Sequence, residues 1–155
     1  MNSAHSTATA KGHTAATSTS MVTRLMAGLI GGLAGGIAFG LLMAVMGMLP
    51  MIASLVGSTS AAIGFVVHLT ISVLIGLALT IPGAGLLKRS PVISAVVGAV
   101  YGMVWWVLGP LLIMPAMMGM PTFTLDPASG ASLMGHVVYG LILGLVAAMV
   151  IRRRR

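Results

Sequence analysis

Residues 25–49 have the sequence LMAGLIGGLAGGIAFGLLMAVMGML, a run of 25 residues without a charged side chain. About 20 apolar residues are enough for a helix to cross the ~30 Å hydrocarbon core of a bilayer. Three further uncharged runs contain 21 to 23 residues each, namely Ala61–Ile81, Val92–Met114 and Ala131–Ile151. Strands of a transmembrane barrel would be about half as long and would alternate in polarity. The sequence therefore predicts an all-α protein, a four-helix transmembrane bundle.

The composition agrees with this class of protein. Hydrophobic residues make up 58% of the chain, charged residues only 6%, and the mean hydropathy is +1.12. Soluble domains carry about 25% charged residues, so this chain lacks the polar side chains that a water-exposed surface needs. It also has no cysteine, which excludes disulfides and thiolate metal ligands. The partner that the composition predicts is the lipid bilayer.

The two halves of the chain repeat one pattern of glycines and histidine. The first half has, in order, Gly36, Gly40, His68 and Gly76, and the second has Gly98, Gly102, His136 and Gly144. A duplicated pair of spans inserts in the same sense as the pair before it, so we expect two parallel-repeat helical hairpins. Repeat one covers about residues 25–87 and repeat two about residues 91–151, within a transmembrane domain of residues 21–155.

Small residues recur every four positions along each span. Positions four apart lie on one stripe of a helix, and small residues let membrane helices approach closely. The stripes therefore predict helix contacts, either inside the bundle, with a second copy in a homo-oligomer, or with a membrane partner. They consist of Gly28, Gly32, Gly36 and Gly40 in the first span, widened by Gly31 and Gly35; His68, Ser72 and Gly76 in the second; Ser94, Gly98 and Gly102 in the third; and His136, Gly140 and Gly144 in the fourth.

Each histidine is the first residue of the small-residue stripe of its span. An imidazole facing lipid would leave its N–H and its ring acceptor without partners, at a cost of a few kcal/mol. We therefore expect His68 and His136 to point into the bundle. Both lie within the first two turns of their spans, so they are expected near the same face of the membrane and close enough to share a ligand.

Methionines gather at the same face. Thioether and imidazole groups together suit a soft ion such as Cu(I). The leading functional hypothesis is a copper site that faces outward, with His68 and His136 as imidazole ligands and Met48, Met114 and Met117 as thioether ligands. Nine of the fourteen methionines belong to this group: Met43, Met46, Met48, Met51, Met114, Met117, Met118, Met120 and Met134.

Two other functions are compatible with the same residues. Methionine also fills gaps between helices, and a hydrogen-bonded histidine pair can be structural, so one alternative is a structural or assembly protein with no ligand. The other is a b-type haem electron carrier, in which His68 and His136 are the axial ligands and the neighbouring glycines leave room for the macrocycle. No catalytic motif is present, and the single acid, Asp126, lies in a turn-like sequence. We expect no enzymatic activity.

The basic residues alternate between the connections. Lys11 and Arg24 precede the first span, Lys88 and Arg89 separate the second from the third, and Arg152–Arg155 follow the fourth. The other two connections contain no Lys or Arg. Because Lys and Arg collect in cytoplasmic loops, we expect a multi-pass protein of the inner (cytoplasmic) membrane with both termini in the cytoplasm. The same distribution argues against nucleic-acid binding, although the net charge is +7.

Residues 1–20 differ from the rest of the chain. They are rich in Ser, Thr and Ala and include His5 and His13. This composition has too little apolar surface to fold alone and predicts a disordered polar segment. Met21 is an alternative start to Met1. A signal peptide is the rival interpretation, but the first apolar run is longer than a 7–15-residue h-region, which favours an uncleaved span.

Prolines mark expected breaks in two helices. Pro50 and Pro115 follow the first and third apolar runs, and we expect them to end those helices, because proline lacks the N–H that continues the hydrogen-bond ladder. Gly109-Pro110 lies within the third run and predicts a kink.

The sequence Gly135-His136-Val-Val-Tyr139-Gly140, the matching segment around His68 and the Met-Pro ends of the spans resemble small four-span membrane proteins of bacteria and archaea. These are families of unknown function. The resemblance covers roughly Gly28 to Ile151 and implies the four-span fold without a role for any residue. The first copy departs from the pattern in having Ser72 where the second has Gly140.

Overall fold

The computed structural model describes residues 19–154. This part of the chain contains helices and no strand. The helices are α1 (Met21–Val45), α2 (Leu49–Ala53), α3 (Ala61–Leu87), α4 (Pro91–Leu108), α5 (Met114–Met117) and α6 (Pro127–Arg153), with a 3-10 turn at Ser54–Val56 and a π-helical segment at Gly109–Ile113 that joins α4 to α5.

Four helical stretches are long and apolar enough to cross a membrane. They are α1, α3, the continuous stretch Pro91–Met117 and α6. The expected all-α bundle of four transmembrane helices is confirmed. The polar segment of residues 1–18, which includes His5 and His13, lies outside the described residues, so the prediction of disorder there stays a prediction.

Local sequence sets where the long helices begin. Ser20 caps α1 by accepting a hydrogen bond from the N–H of Thr23, and Ser90 caps α4 in the same way. Asp126 and Ser129 form a reciprocal capping box at the start of α6. Such side chains satisfy N–H groups of the first turn that have no partner inside the helix.

Helices α1 and α6 occupy the middle of the bundle. In each of them 44% of the most apolar 18-residue stretch is buried inside the bundle. The corresponding share is 28% for α3 and 17% for Pro91–Met117. Glycines on two faces of α1 allow this central position. A Cβ at Gly32 would lie 2.7 Å from the carbonyl oxygen of Ser72 in α3, and one at Gly35 would lie 2.7 Å from that of Tyr139 in α6. Gly31 and Gly35 thus face α6 rather than widening the stripe that faces α3.

The two hairpins, α1 with α3 and α4 with α6, bring equivalent positions of the sequence pattern together. In each hairpin, three small residues of the first helix lie directly against the second helix. In each pair, a Cβ added to a glycine would overlap or press on the facing residue. The pairs in the first hairpin are Gly32 with Gly76, Gly36 with Ser72 and Gly40 with His68; those in the second are Ser94 with Gly144, Gly98 with Gly140 and Gly102 with His136.

The bundle has two chemically different ends. We call the end with Arg24, Lys88 and Arg152 the basic end. Here the Arg24 guanidinium donates to the carbonyl of Ile81 at 2.6 Å, which ties α1 to α3. The opposite end, which we call the methionine-rich end, is formed by α2, α5 and the connections between the helices of each hairpin.

Two expectations about proline are wrong. Helix α1 ends at Val45, before Pro50, and Pro50 instead lies in the first turn of α2. Pro115 likewise does not stop the helix but lies in the first turn of α5, and the third span continues past it to Met117. The physical reason is that the first turn of a helix needs no N–H from proline, so proline starts a helix as readily as it stops one. At Gly109-Pro110 the α-helix does break, and the chain continues as a π-helical segment.

Candidate functional site

A cavity of about 280 Å³ lies within the methionine-rich half of the bundle. All five residues predicted as metal ligands line it, which brings together His68, His136, Met48, Met114 and Met117. They come from α3, α6, the residue before α2, and α5. Side chains that are more than 80 residues apart in the sequence therefore border one space. The rest of the lining is mainly apolar, with Phe39, Ile52, Leu55, Ile71, Ile75, Trp105 and Ile113 among its members.

Five methionines line the cavity, and they differ in how exposed they are. Met43 and Met51 join the three predicted ones. Met43 is 4% exposed, whereas Met51 and Met117 are 39% and 66% exposed. Met43 is thus shielded from the surroundings, whereas Met51 and Met117 are exposed, as are two other lining residues, Ile71 and Ile113, at 38% and 46%. The remaining methionines of the predicted group, Met46, Met118, Met120 and Met134, are exposed and do not line the cavity.

His68 is buried, as expected, and contacts α1 through one edge of its ring. Its Nε2 lies 3.0 Å from the carbonyl oxygen of Gly36, and its Cδ2 lies next to Gly40. Since a carbonyl only accepts, Nε2 carries the proton and donates. Ser72 Oγ is 3.5 Å from the same nitrogen, which is long for a hydrogen bond. In the neutral ring this leaves a lone pair on Nδ1, on the edge that faces away from α1.

His136 is half-buried and is fixed by its own helix instead. Its Nδ1 lies 2.8 Å from the carbonyl oxygen of Ser132, one turn earlier, so Nδ1 carries the proton. Ser132 Oγ is 3.4 Å from the same nitrogen. The lone pair of the neutral ring is then on Nε2, at the far end of the side chain. Each imidazole therefore has one nitrogen held by a backbone carbonyl and one with no hydrogen-bond partner among residues 19–154.

Phe39 of α1 contacts both imidazoles. Its ring centroid is 5.3 Å from that of His68 and 4.8 Å from that of His136, and both contacts are edge-on. The small residue Gly135 of α6 packs directly against the phenyl ring. Phe39 is 6% exposed, so a buried phenyl ring packs against both imidazoles from the α1 side.

Tyr139 and Ser72 line the cavity about one turn closer to the basic end than the two histidines. The Tyr139 hydroxyl donates to the carbonyl of Ser72 at 2.6 Å and ties α6 to α3. Beside it, the Tyr101 hydroxyl donates to the carbonyl of Ile75 at 2.9 Å and ties α4 to α3. Hydroxyls that bond to backbone carbonyls in an apolar interior join helices without an unsatisfied polar group.

The side chains of the cavity lining that could bind a metal ion are neutral. Within the described residues no three His, Cys, Asp or Glu side chains lie close enough to hold a metal ion together. The carboxylate of Asp126 accepts from the N–H of Ser129 in its capping box. Any ligand set drawn from the cavity lining therefore consists of imidazole nitrogen, thioether sulfur and hydroxyl oxygen.

Several lining residues were not singled out as site residues by the sequence. Met43 lies three residues after Gly40, on the buried side of α1, and this spacing could have identified it. Met51 belonged to the predicted methionine group, whereas Phe39 and Tyr139 gave no such signal, because their positions depend on how α1 and α6 pack. In the part of the chain that the structure describes, Trp105 Nε1 is a buried donor without a partner, and Trp105 also lines the cavity.

Comparison with protein-family models, with curated proteins and with solved structures finds no match to this chain. This result is consistent with the resemblance to four-span families of unknown function. The fold is that of an integral membrane protein with four transmembrane helices, and its function has to be argued from the cavity.

Proposed function

We propose that this integral membrane protein binds a soft monovalent metal ion, Cu(I), in the cavity at its methionine-rich end. The observation that carries the proposal is the convergence of His68, His136 and five methionines from both halves of the chain on one cavity. Thioether sulfur and imidazole nitrogen are ligands that Cu(I) prefers, while Mg²⁺, Ca²⁺ and Mn²⁺ prefer carboxylate and carbonyl oxygen.

The hydrogen bonds of the two histidines support this proposal. Histidines that bind metals almost always donate the second ring N–H to a carboxylate, a backbone carbonyl or water, which fixes the tautomer. Gly36 and Ser132 supply such carbonyls. The nitrogens available as ligands are then Nδ1 of His68 and Nε2 of His136. Transfer from water to an apolar cavity costs less free energy for a singly charged ion than for a divalent one. A monovalent ion is therefore the better match for this cavity.

The same geometry disfavours the haem alternative. Nδ1 of His68 lies next to its own Cβ and backbone, which crowd a porphyrin plane, and the unhindered Nε2 is bonded to Gly36. Phe39 also packs against both imidazoles where a macrocycle would need space. A metal ion needs only the lone pairs and the sulfur atoms.

A structural or assembly function through the glycine stripes is supported less well. Gly28, Gly32, Gly76, Gly98 and Gly140 each face another helix of this same chain. Their close contacts are made inside the bundle, so these stripes are not free surfaces for a second copy or a partner. The exposed residues of α3 and α4 are mostly aliphatic side chains, which lipid covers.

We further propose that the methionine-rich end faces outward from the inner membrane. The basic residues lie at the other end, and Lys and Arg collect on the cytoplasmic side. Both termini are then cytoplasmic. The site would meet ions from the extracytoplasmic compartment, where Cu(I) requires ligands that protect it.

The test is Cu(I) binding by the purified protein in detergent, measured by competition with a chromogenic Cu(I) chelator. All proteins carry His5→Ala and His13→Ala so that the N-terminal histidines do not contribute. The site variant is Met48→Leu/Met114→Leu, since leucine keeps the volume and apolar character of methionine. Changes in groups that only orient metal ligands cost about 10–100-fold in affinity, so loss of two ligands should weaken binding at least that much.

The matched control is Met103→Leu/Met149→Leu. Both methionines are in transmembrane helices, both are exposed, and neither lines the cavity. The control should bind Cu(I) like the parent. A parent protein that binds no Cu(I) in competition with the chelator, or equal binding by the site variant and the control, would refute the proposal.

A further inference from the structure

The lining of the proposed cavity includes exposed residues at the methionine-rich end, whereas the bundle is closely packed toward the basic end. Four residues of the lining are exposed, namely Met51 and Met117 at the methionine-rich end and Ile71 and Ile113 along the second and third spans. We call the opening at Met51 and Met117 the mouth, because an ion would have to cross hydrocarbon to reach the two isoleucines. Met43 is almost completely buried. Methionines of different exposure thus line the same cavity as the two imidazoles. An ion can pass along them by exchanging one soft ligand for the next.

About one turn beyond the imidazoles, toward the basic end, hydrogen bonds tie the helices together. Tyr139 donates to the carbonyl of Ser72 at 2.6 Å and Tyr101 to that of Ile75 at 2.9 Å, so α3 is tied to both α6 and α4 at this depth. Both tyrosine hydroxyl hydrogens point at backbone carbonyls of α3.

Toward the basic end the helices are in backbone contact. A Cβ on Gly76 would lie 2.5 Å from the carbonyl oxygen of Gly28, and in the second hairpin Gly98 and Gly140 are closer still. Side chains fill the remaining space: Leu87 and Leu143 are 0% exposed and Ile151 is 1% exposed. Interiors packed in this way have no room for an ion.

The basic half also lacks free ligands for a soft ion. Its buried polar side chains are Thr23, Thr80 and Ser94, all hydroxyls. Thr80 donates to the carbonyl of Arg24 and Ser94 to that of Leu87, so these hydrogens are already used. Among the described residues, no methionine or histidine is buried between the cavity and the basic end. An ion leaving the imidazoles in that direction would meet no buried thioether or imidazole among the described residues.

We infer that the metal ion enters and leaves only through the mouth at Met51 and Met117. This inference rests on the proposed function and refines it: the protein is a one-sided site that accepts the ion from, and returns it to, the compartment at its methionine-rich end. It does not conduct the ion across the membrane.

The experiment uses the full chain in lipid vesicles, with Ag(I) as a redox-inert probe of the Cu(I) site. Trp106→Phe leaves Trp105, in the cavity wall, as the single tryptophan. Ag(I) added outside should quench Trp105 in molecules whose mouth faces outward, and the rest should be quenched only after detergent opens the vesicles. Silver inside the intact vesicles should stay at the level of protein-free vesicles.

Two variants test the route. Met51→Leu, which keeps all five proposed ligands in place, should slow quenching with little change in its final extent, whereas Met103→Leu/Met149→Leu should change neither. Silver uptake that depends on the protein and is lost in Met48→Leu/Met114→Leu would overturn the one-sided inference and leave the metal site intact. Absence of quenching in the parent, even in detergent, would overturn the site itself and the inference with it.

Discussion

The Tyr139 hydroxyl lies 2.6 Å from the backbone carbonyl oxygen of Ser72, across the interface between α6 and α3. These two residues belong to different hairpins and are 67 positions apart. Tyr139 is 3% exposed, so its hydroxyl would have no partner without this carbonyl. The bond connects the two halves of the bundle, and both of its residues line the cavity.

Replacing this tyrosine tests the strength of the connection. Tyr139→Phe should lower the free energy of unfolding by about 0.5–2 kcal/mol, the range for hydrogen bonds between membrane helices. The measurement is unfolding by SDS in mixed micelles, followed by circular dichroism. Thr70→Val is the control, because the Thr70 hydroxyl donates to Val66 in its own helix and is exposed. Equal stability of Tyr139→Phe and the parent would contradict the role of the bond.

Phe39 and Gly135 should be energetically coupled. A Cβ at Gly135 would overlap the Phe39 ring, so Gly135→Ala should be destabilising by about 1–3 kcal/mol, as overpacking is. In the background Phe39→Leu the smaller side chain leaves room, and the same alanine should cost much less. The double-mutant cycle is measured by the same SDS unfolding, and additive effects would show that the two residues do not constrain each other.

Glycine should be required where the backbones touch and dispensable where they do not. Gly98 meets the carbonyl of Gly140, while a Cβ at Gly85 would meet nothing within 4 Å. Gly98→Ala should therefore destabilise the bundle by roughly 1–3 kcal/mol. Gly85→Ala should be neutral or slightly stabilising, because alanine favours helix. Similar loss of stability in both variants would exclude helix contact as the cause.

Asp126 should act as a helix cap and not as a metal ligand. Its carboxylate accepts from the N–H of Ser129 at 2.7 Å, and Ser129 Oγ in turn accepts from the N–H of Asp126 at 2.9 Å. Asp126→Ala should cost about 1 kcal/mol of stability, and Asp126→Asn much less, since asparagine caps well. Both variants should bind Cu(I) as the parent does. A large loss of affinity in Asp126→Asn would place the carboxylate in the site.

The proposed orientation can be tested directly, because the chain has no native cysteine. Single cysteines at Ser58 and Thr122 should react with a membrane-impermeant maleimide in intact cells. Cysteines at Arg89 and Ser90 should react only after the membrane is permeabilised. The reverse pattern would place the methionine-rich end in the cytoplasm. The controls are a cysteine-free parent and permeabilised cells for every variant.

The sequence by itself determined the number of spans and the class of fold. Uncharged runs of 21 to 25 residues can satisfy their backbone groups in a bilayer only as helices, so no tertiary information was needed. It also indicated that His68 and His136 point inward, because an imidazole facing lipid is costly. The spacing of small residues predicted which stripe of each helix carries close contacts.

Only the tertiary structure decided which partners those stripes meet and what lines the cavity. Gly31 and Gly35 face α6 because α1 lies between two helices, and a stripe seen in sequence does not reveal how many neighbours it has. The exposure of Met118 and the burial of Met43 depend on the folding of α2 and α5 over the bundle, where Pro50 and Pro115 start helices. Periodicity fixes the face of one helix, whereas a cavity is the space left between several, and that space depends on their mutual packing.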